Sequence, residues 1–254
     1  MSWATSRRTF ILSIIASFFI AIIALVLISV LYKSPSCSDN VQNQNEVGVD
    51  CGGVCPYLCS TQTKAPTVRF VSMLQNVGNR IDAIAYVDNS NTNAAVINAP
   101  YKIELYGADA KQVAQYKGVV DLPPHGEVPI FVPNIYDGPK RIVNSFLSFS
   151  TTSMRWFTAN KSPQVLPYKN IKIIGTTTPR ITATLANPTG SDVTNVKVII
   201  AVFGASGNVI GASQTLVHRI PAEENVQIVF TWNKPFPSLP VKEEIWPIMP
   251  VTPS

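Results

Sequence analysis

Four cysteines fall within 23 residues of one another: Cys37, Cys51, Cys55 and Cys59. They are all the cysteines the chain has, and the residues best equipped for covalent or metal chemistry. An even, clustered set in an exported segment reads as two disulfides, with three pairings that spacing does not choose between. Four thiolates on zinc would want a paired knuckle spacing, which is missing here. Asp39, Asn43, Glu46 and Asp50 lie between the first two cysteines at close, fairly regular spacing. Side chains of this kind supply the six to eight oxygens that calcium takes. The same residue types also form turns and caps. The segment is therefore expected to be a small disulfide knot, with these four residues as candidate calcium ligands.

Elsewhere, the residues that carry catalysis are sparse. The two histidines, His125 and His218, each sit by a proline-containing turn and are about 93 positions apart. No Gly-x-Ser-x-Gly elbow, His-Glu-x-x-His, phosphate loop or Ser-x-x-Lys occurs. Glu223-Glu224 and Glu243-Glu244 are adjacent pairs, which in a strand point to opposite faces. The expectation is a chain without catalytic residues. Of Trp156, Trp232 and Trp246, one per domain is expected in the core, with exposed aromatics on one sheet as the sign that would favour sugar binding instead.

The elements that must position these residues begin with the run from Phe10 to Tyr32, which holds no charge. About 20 apolar residues span a bilayer core. Arg7 and Arg8 precede the run and only Lys33 comes closely after it, so the N-terminus is expected in the cytoplasm and the rest outside. A cleaved signal would have an apolar stretch of roughly 7–15 residues before a small-x-small site. This run is longer and ends in Val30, Leu31 and Tyr32. An uncleaved signal anchor fits better. Ser13, Ser17 and Ser29 inside the run are expected to bond back to the helix backbone.

From Lys33 onward the chain holds 18 basic and 15 acidic residues, and no dense basic stripe. That argues against nucleic acid as a partner. Val, Ile, Thr, Asn, Pro and Gly are abundant, the composition of strands joined by turns. In Tyr101-Lys-Ile-Glu-Leu-Tyr, apolar and charged residues alternate as in a half-buried strand. A weak repeat occurs at an offset of 97 to 98 residues: Tyr86-Val-Asp-Asn with Thr184-Leu-Ala-Asn, Ile103–Val113 with Ile200–Ile210, and Leu122–Val132 with Ile220–Phe230. That is the size of an immunoglobulin-like domain. Six prolines from Pro235 onward exclude a continuous central strand there, leaving a short edge strand around Glu243 to Trp246 and an extended tail.

The knot resembles a short motif of bacterial surface and secreted proteins, C-x-D-G-x-x-N-x-x-E-x-G-x-D-C-G-G-x-C-x-x-C. Asp39, Asn43, Glu46, Gly48, Asp50, Cys51, Gly52, Gly53 and Cys55 fall on it. Asn40 stands where the motif has glycine, and three residues rather than two separate Cys55 from Cys59. The repeats resemble the small seven-stranded LEA-type and FxLYD-type sandwiches of envelope proteins, through Asn187-Pro-Thr-Gly, Phe203-Gly-Ala-Ser-Gly and Ile220-Pro-Ala-Glu. These resemblances imply an exported protein, not an activity.

The expected architecture is mainly β: a cytoplasmic N-terminus (1–9), a transmembrane helix (10–32), the knot (36–60) and two immunoglobulin-like antiparallel β-sandwiches (66–163 and 164–254). The expected role is a single-pass, membrane-anchored, non-enzymatic envelope protein whose sandwiches scaffold or bind another envelope protein or cell-wall component. The alternatives are a sugar- or ligand-binding surface module and a subunit of a secretion or pilus-like machine.

Overall fold

The computed structural model describes residues 3–31, 36–159 and 165–251. Tyr32 and the 163/164 domain boundary lie outside them. The chain divides into two compact units, Met1–Pro56 and Tyr57–Ser254.

The first unit opens with helix α1 (Trp3–Leu31). Within it, Arg7–Ser29 has a mean hydropathy of 3.1 and is wholly unburied, so it is long and apolar enough to cross a membrane. Its hydroxyls need no outside partner. Ser13 donates to the Phe10 carbonyl (2.8 Å), Ser17 to that of Ser13 (2.7 Å) and Ser29 to that of Val26 (2.8 Å). This disposes of three polar groups that hydrocarbon would otherwise penalise. Residues 36–56 of the knot complete the unit, and its last residues, Cys59 among them, belong to the second.

The second unit holds thirteen antiparallel strands among the described residues: β1 (Thr67–Gln75), β2 (Arg80–Asn89), β3 (Ala94–Gly107), β4 (Gln112–Leu122), β5 (Gly126–Asp137), β6 (Ile142–Phe149), β7 (Trp156–Thr158), β8 (Tyr168–Ile174), β9 (Arg180–Ala186), β10 (Val193–Gly204), β11 (Val209–Ile220), β12 (Asn225–Thr231) and β13 (Pro240–Ile248). They form four sheets. Sheet I has the order β4-β3-β6, with β7 also on β3, and sheet II the order β1-β2-β5. Together they make the first sandwich. Sheet III (β11-β10-β13) and sheet IV (β12-β9-β8) make the second. The proline-rich tail thus supplies β13, an edge strand longer than the sequence suggests, paired with β10.

Each sandwich closes its own core. Ala83, Ala85 and Val87 of β2 meet Ile103, Leu105 and Leu122 in the first. Ile181, Ala183 and Leu185 of β9 meet Val198, Ile200 and Val202 in the second. A third cluster belongs to neither. Ile84 and Tyr86 of sheet II pack against Ile199, Ala201, Val209 and Ala212 of sheet III, with Phe70, Phe203 and Trp246 alongside. The two sandwiches are therefore stacked through faces of sheets II and III. This explains why β2 from Ile81 to Val87 and β10 from Val198 to Val202 are buried without alternation. An antiparallel strand with one wet face would alternate; these have none.

The repeat is visible in the backbone. Positive φ recurs at equivalent places: Asn98 (55°) and Asn195 (55°), Ala110 (57°) and Gly207 (76°), His125 (45°) and Glu223 (59°). A buried asparagine also recurs. Asn89 Nδ2 donates to the carbonyls of Ala94 (2.9 Å) and Pro123 (2.6 Å). Asn187 Nδ2 donates to those of Ser191 (2.8 Å) and Pro221 (3.0 Å). In both sandwiches one amide ties the strand end to the proline turn.

Ile199→Asp places a charge in the seam while leaving both sandwich cores intact. An unpaired buried charge costs several kcal/mol. Calorimetry is expected to show one unfolding transition for the native chain and two for the variant, since the shared cluster is what joins the sandwiches. A single unshifted transition in the variant would mean that the seam contributes no cooperativity.

Candidate functional site

Three places carry convergent polar or aromatic chemistry: the knot, the centre of the seam and the clefts at its margins.

In the knot, Cys37 and Cys55 form a disulfide across 18 residues of chain. Cys51 and Cys59 are also disulfide-bonded, so no thiol is free. The Cys37 and Cys55 sulfurs and a Glu46 carboxylate oxygen lie within 4.8 Å of one another, but both sulfurs are spent in the S–S bond. Closing a loop of this length limits the unfolded chain by about 3 kcal/mol in the chain-entropy account.

The four acidic and amide residues are brought together within the knot. Asp39 Oδ1 accepts the Val41 N–H (2.9 Å), and its Oδ2 accepts the Asn43 amide (2.9 Å) and the Ser36 N–H (3.1 Å). Asp50 accepts the N–H groups of Asp39 (2.9 Å) and Asn40 (3.0 Å). Glu46, only 6% exposed, accepts those of Asn43 and Asp50, both at 3.2 Å. These carboxylates thus do for a coreless loop what a ladder does for a sheet: they satisfy its backbone donors. A cation entering here would compete with those N–H groups for the same oxygens. Asn40, in the glycine position of the motif, has φ 60°. Gly53 has φ 61°, and a Cβ there would collide with the Asn45 carbonyl oxygen.

At the seam, the Tyr86 ring stacks on Phe70 (centroids 4.8 Å apart) and meets Trp246 (6.0 Å) and Phe203 (6.4 Å) edge-on. Its hydroxyl donates to Glu244 Oε2 at 2.9 Å. Glu244 Oε1 also pairs with Lys242 Nζ at 2.6 Å. Burial and the Glu244 bond push the Tyr86 hydroxyl far above its ordinary range. Burial alone would raise the Glu244 carboxyl, but donation from Lys242 and Tyr86 outweighs it and holds the carboxyl below the usual carboxylate range. Reading the strands one at a time does not reveal this seam. The readable signal is the repeat itself: Tyr86 and Thr184 occupy equivalent positions, and one is aromatic where the other is polar.

Three clefts open along the seam, and the two larger lie towards the two ends of β5. One, of about 780 Å³, is lined by Pro123, Pro129, Tyr168, Trp246 and Pro247. The other, of about 370 Å³, is lined by Arg80, Asp82, Gln214, Trp232, Lys234 and Phe236. His125 and His218 are both exposed, on separate sandwiches. Trp156 is buried in the first core, while Trp232 and Trp246 are half-buried.

The fold defines a mainly β protein in which an apolar N-terminal helix and a disulfide knot are followed in sequence by two stacked antiparallel sandwiches. No protein-family model and no curated protein matches the chain. Solved structures resemble it weakly. A transglutaminase of red sea bream is 13% identical over 68% of this chain and 27% of its own, with a TM-score of 0.24. A β-glucuronidase of glycoside hydrolase family 2 is 9% identical over 82% and 26%, with a TM-score of 0.23. The tandem CBM22-1-CBM22-2 domain of Paenibacillus barcinonensis Xyn10C is 8% identical over 76% and 87%, with a TM-score of 0.16. The chain spans about a quarter of the length of the first two. Likenesses of this size carry no argument about function.

This geometry makes two outcomes testable. Glu46→Ala should speed amide exchange at Asn43 and Asp50 by about 10–100-fold, because each N–H loses a buried acceptor. Unchanged rates would show that the carboxylate does not organise the loop. A carboxyl lowered on folding adds stability that is complete above its unfolded value, about 4.3, and disappears as the pH falls through the folded value. The unfolding temperature should therefore drop on acidification below about pH 5, and less steeply in Glu244→Gln. Parallel profiles would remove Glu244 from the seam's electrostatics.

Proposed function

We propose that the chain is a single-pass, membrane-anchored envelope protein that holds a rigid, non-enzymatic pair of β-sandwiches outside the cytoplasmic membrane, where they scaffold or bind another envelope component. The observation that carries this reading is the unburied apolar segment Arg7–Ser29, with arginine at its N-terminal side alone. The arginine bias favours an N-terminus inside. Complete pairing of the cysteines supports an oxidising compartment for the chain beyond the helix. The shared seam supports a body that presents its surfaces in a fixed relation, as a scaffold requires.

The test uses a C-terminal tag on the full chain. The tagged protein is expected to stay with membranes through alkaline washing and to keep its full length. Protease added to intact cells or spheroplasts should remove the tag. Crosslinking in intact membranes, followed by capture on the tag and mass spectrometry, is expected to return an envelope partner. A shortened, freely released product would make residues 10–32 a cleaved signal. A protease-protected tag would reverse the topology. Stoichiometric capture of a secretion or pilus-like assembly would make the chain a machine subunit instead.

A further inference from the structure

The cleft of about 370 Å³ has walls of two different chemistries. One wall is aromatic. Trp232 and Phe236 pack edge-to-face with centroids 5.0 Å apart, and the indole Nε1 donates to the Ala212 carbonyl at 3.1 Å. The indole is thereby held in one orientation. Phe236 reaches this position because residue 211 is glycine: a Cβ there would lie 2.5 Å from the ring. Both rings are half-buried, so each is fixed by packing yet keeps part of its surface open.

The opposite wall is polar and also fixed. Asp82 is 9% exposed; its Oδ1 accepts the Asn134 N–H at 2.7 Å and its Oδ2 the Asn76 amide at 2.8 Å. Asn134 presents that N–H from a left-handed conformation (φ 50°). Asp82 therefore braces the wall. The cations lining the cleft are differently placed. Arg80 engages only the Val77 carbonyl, through Nε at 3.4 Å, and neither Arg80 nor Lys234 forms an ion pair among the described residues. The Gln214 side chain adds a paired donor and acceptor.

We propose that this cleft binds an acidic saccharide, a sugar unit bearing a carboxylate. A pyranose has an apolar C–H face that lies on an aromatic ring and a rim of hydroxyls that amide side chains recognise. Its carboxylate is matched by a guanidinium fork and an ammonium. A volume of about 370 Å³ is at the small end of ligand pockets, and a position where two sandwiches meet is where such pockets concentrate. Binding is a property of the folded chain; only the sugar's cellular source rests on the extracytoplasmic placement proposed above. The two readings fail separately, one in a binding cell and the other in a membrane fraction.

The test is titration calorimetry on the full chain in detergent micelles. The probe is an oligosaccharide of uronic acids, compared with the same oligosaccharide after its carboxyls are reduced to alcohols. The acidic form is expected to bind at least about tenfold more tightly than the reduced form, as a charge-assisted hydrogen bond commands. Arg80→Gln and Lys234→Gln should each weaken it about tenfold at an unchanged unfolding temperature, while Lys102→Gln on sheet I should leave it unaltered. No heat with the acidic form at about 10 mM would overturn the proposal. Equal binding of the reduced form would do the same, as would affinity indifferent to both substitutions.

Discussion

The rest of the structure depends on the burial of two sheet faces against each other. Sheets II and III each have one face in a sandwich core and the other in the seam, so β2 from Ile81 to Val87 and β10 from Val198 to Val202 meet water on neither. Fully burying a large apolar side chain gains about 1.5–3 kcal/mol, and Ile84, Tyr86 and Ile199 are all buried in the seam. A linker of Ser and Gly would let two such domains swing; a shared apolar layer does not. The margins of that layer then become clefts whose walls come from different sandwiches and hold a constant separation. Tyr86 sets the seam's polarity: its hydroxyl needs an acceptor, and Glu244 of β13 supplies one. That bond recruits the proline-rich end of the chain into the body.

Much of the architecture was legible because it arises from local patterning. The apolar helix, the clustered cysteines, the alternating Tyr101–Tyr106 strand and the repeat each rest on residues close in sequence. The hairpin tips also come from residue type: Gly107 and Gly204 close matching turns, with N–H bonds of 3.0 Å to the carbonyls of Lys111 and Asn208. The seam was harder to read, because a run such as Ala83–Val87 is equally apolar whether its second face meets a helix, a lipid or another sheet. Periodicity reports that a strand is buried on both sides and is silent on what buries it. The 370 Å³ cleft was illegible for a related reason. Arg80 and Trp232 are 152 positions apart in sequence, and only the stacking brings their sandwiches to one margin.

Comparison of the two repeats recovers part of what single-strand reading missed. Positions Ile84 and Tyr86 on β2 correspond to Thr182 and Thr184 on β9. Positions Lys102 and Glu104 on β3 correspond to Ile199 and Ala201 on β10. Each pair holds the same structural place, and one member is apolar where the other is polar. The core positions between them stay apolar in both copies. A face that changes character between repeats while the core does not is a face whose surroundings differ, and here the seam lies on the apolar side of each pair.

The pairing across the seam also has a direction. Sheet II is the counterpart of sheet IV, and sheet III that of sheet I, so the two sandwiches meet through non-equivalent faces. A contact of this kind does not close on itself; in principle it can be repeated without end, as in a filament. The molecule leaves one face of each kind at its outer surfaces, sheet I on one side and sheet IV on the other. Lys102, Glu104 and Thr184, all half-buried, occupy those faces where the seam has Ile199, Ala201 and Tyr86. At these positions the outer faces are polar where the seam is apolar, a contrast like that between terminal and internal repeats of solenoids. The two sandwiches thus meet through their apolar pair of faces and leave outside the pair that carries these polar side chains.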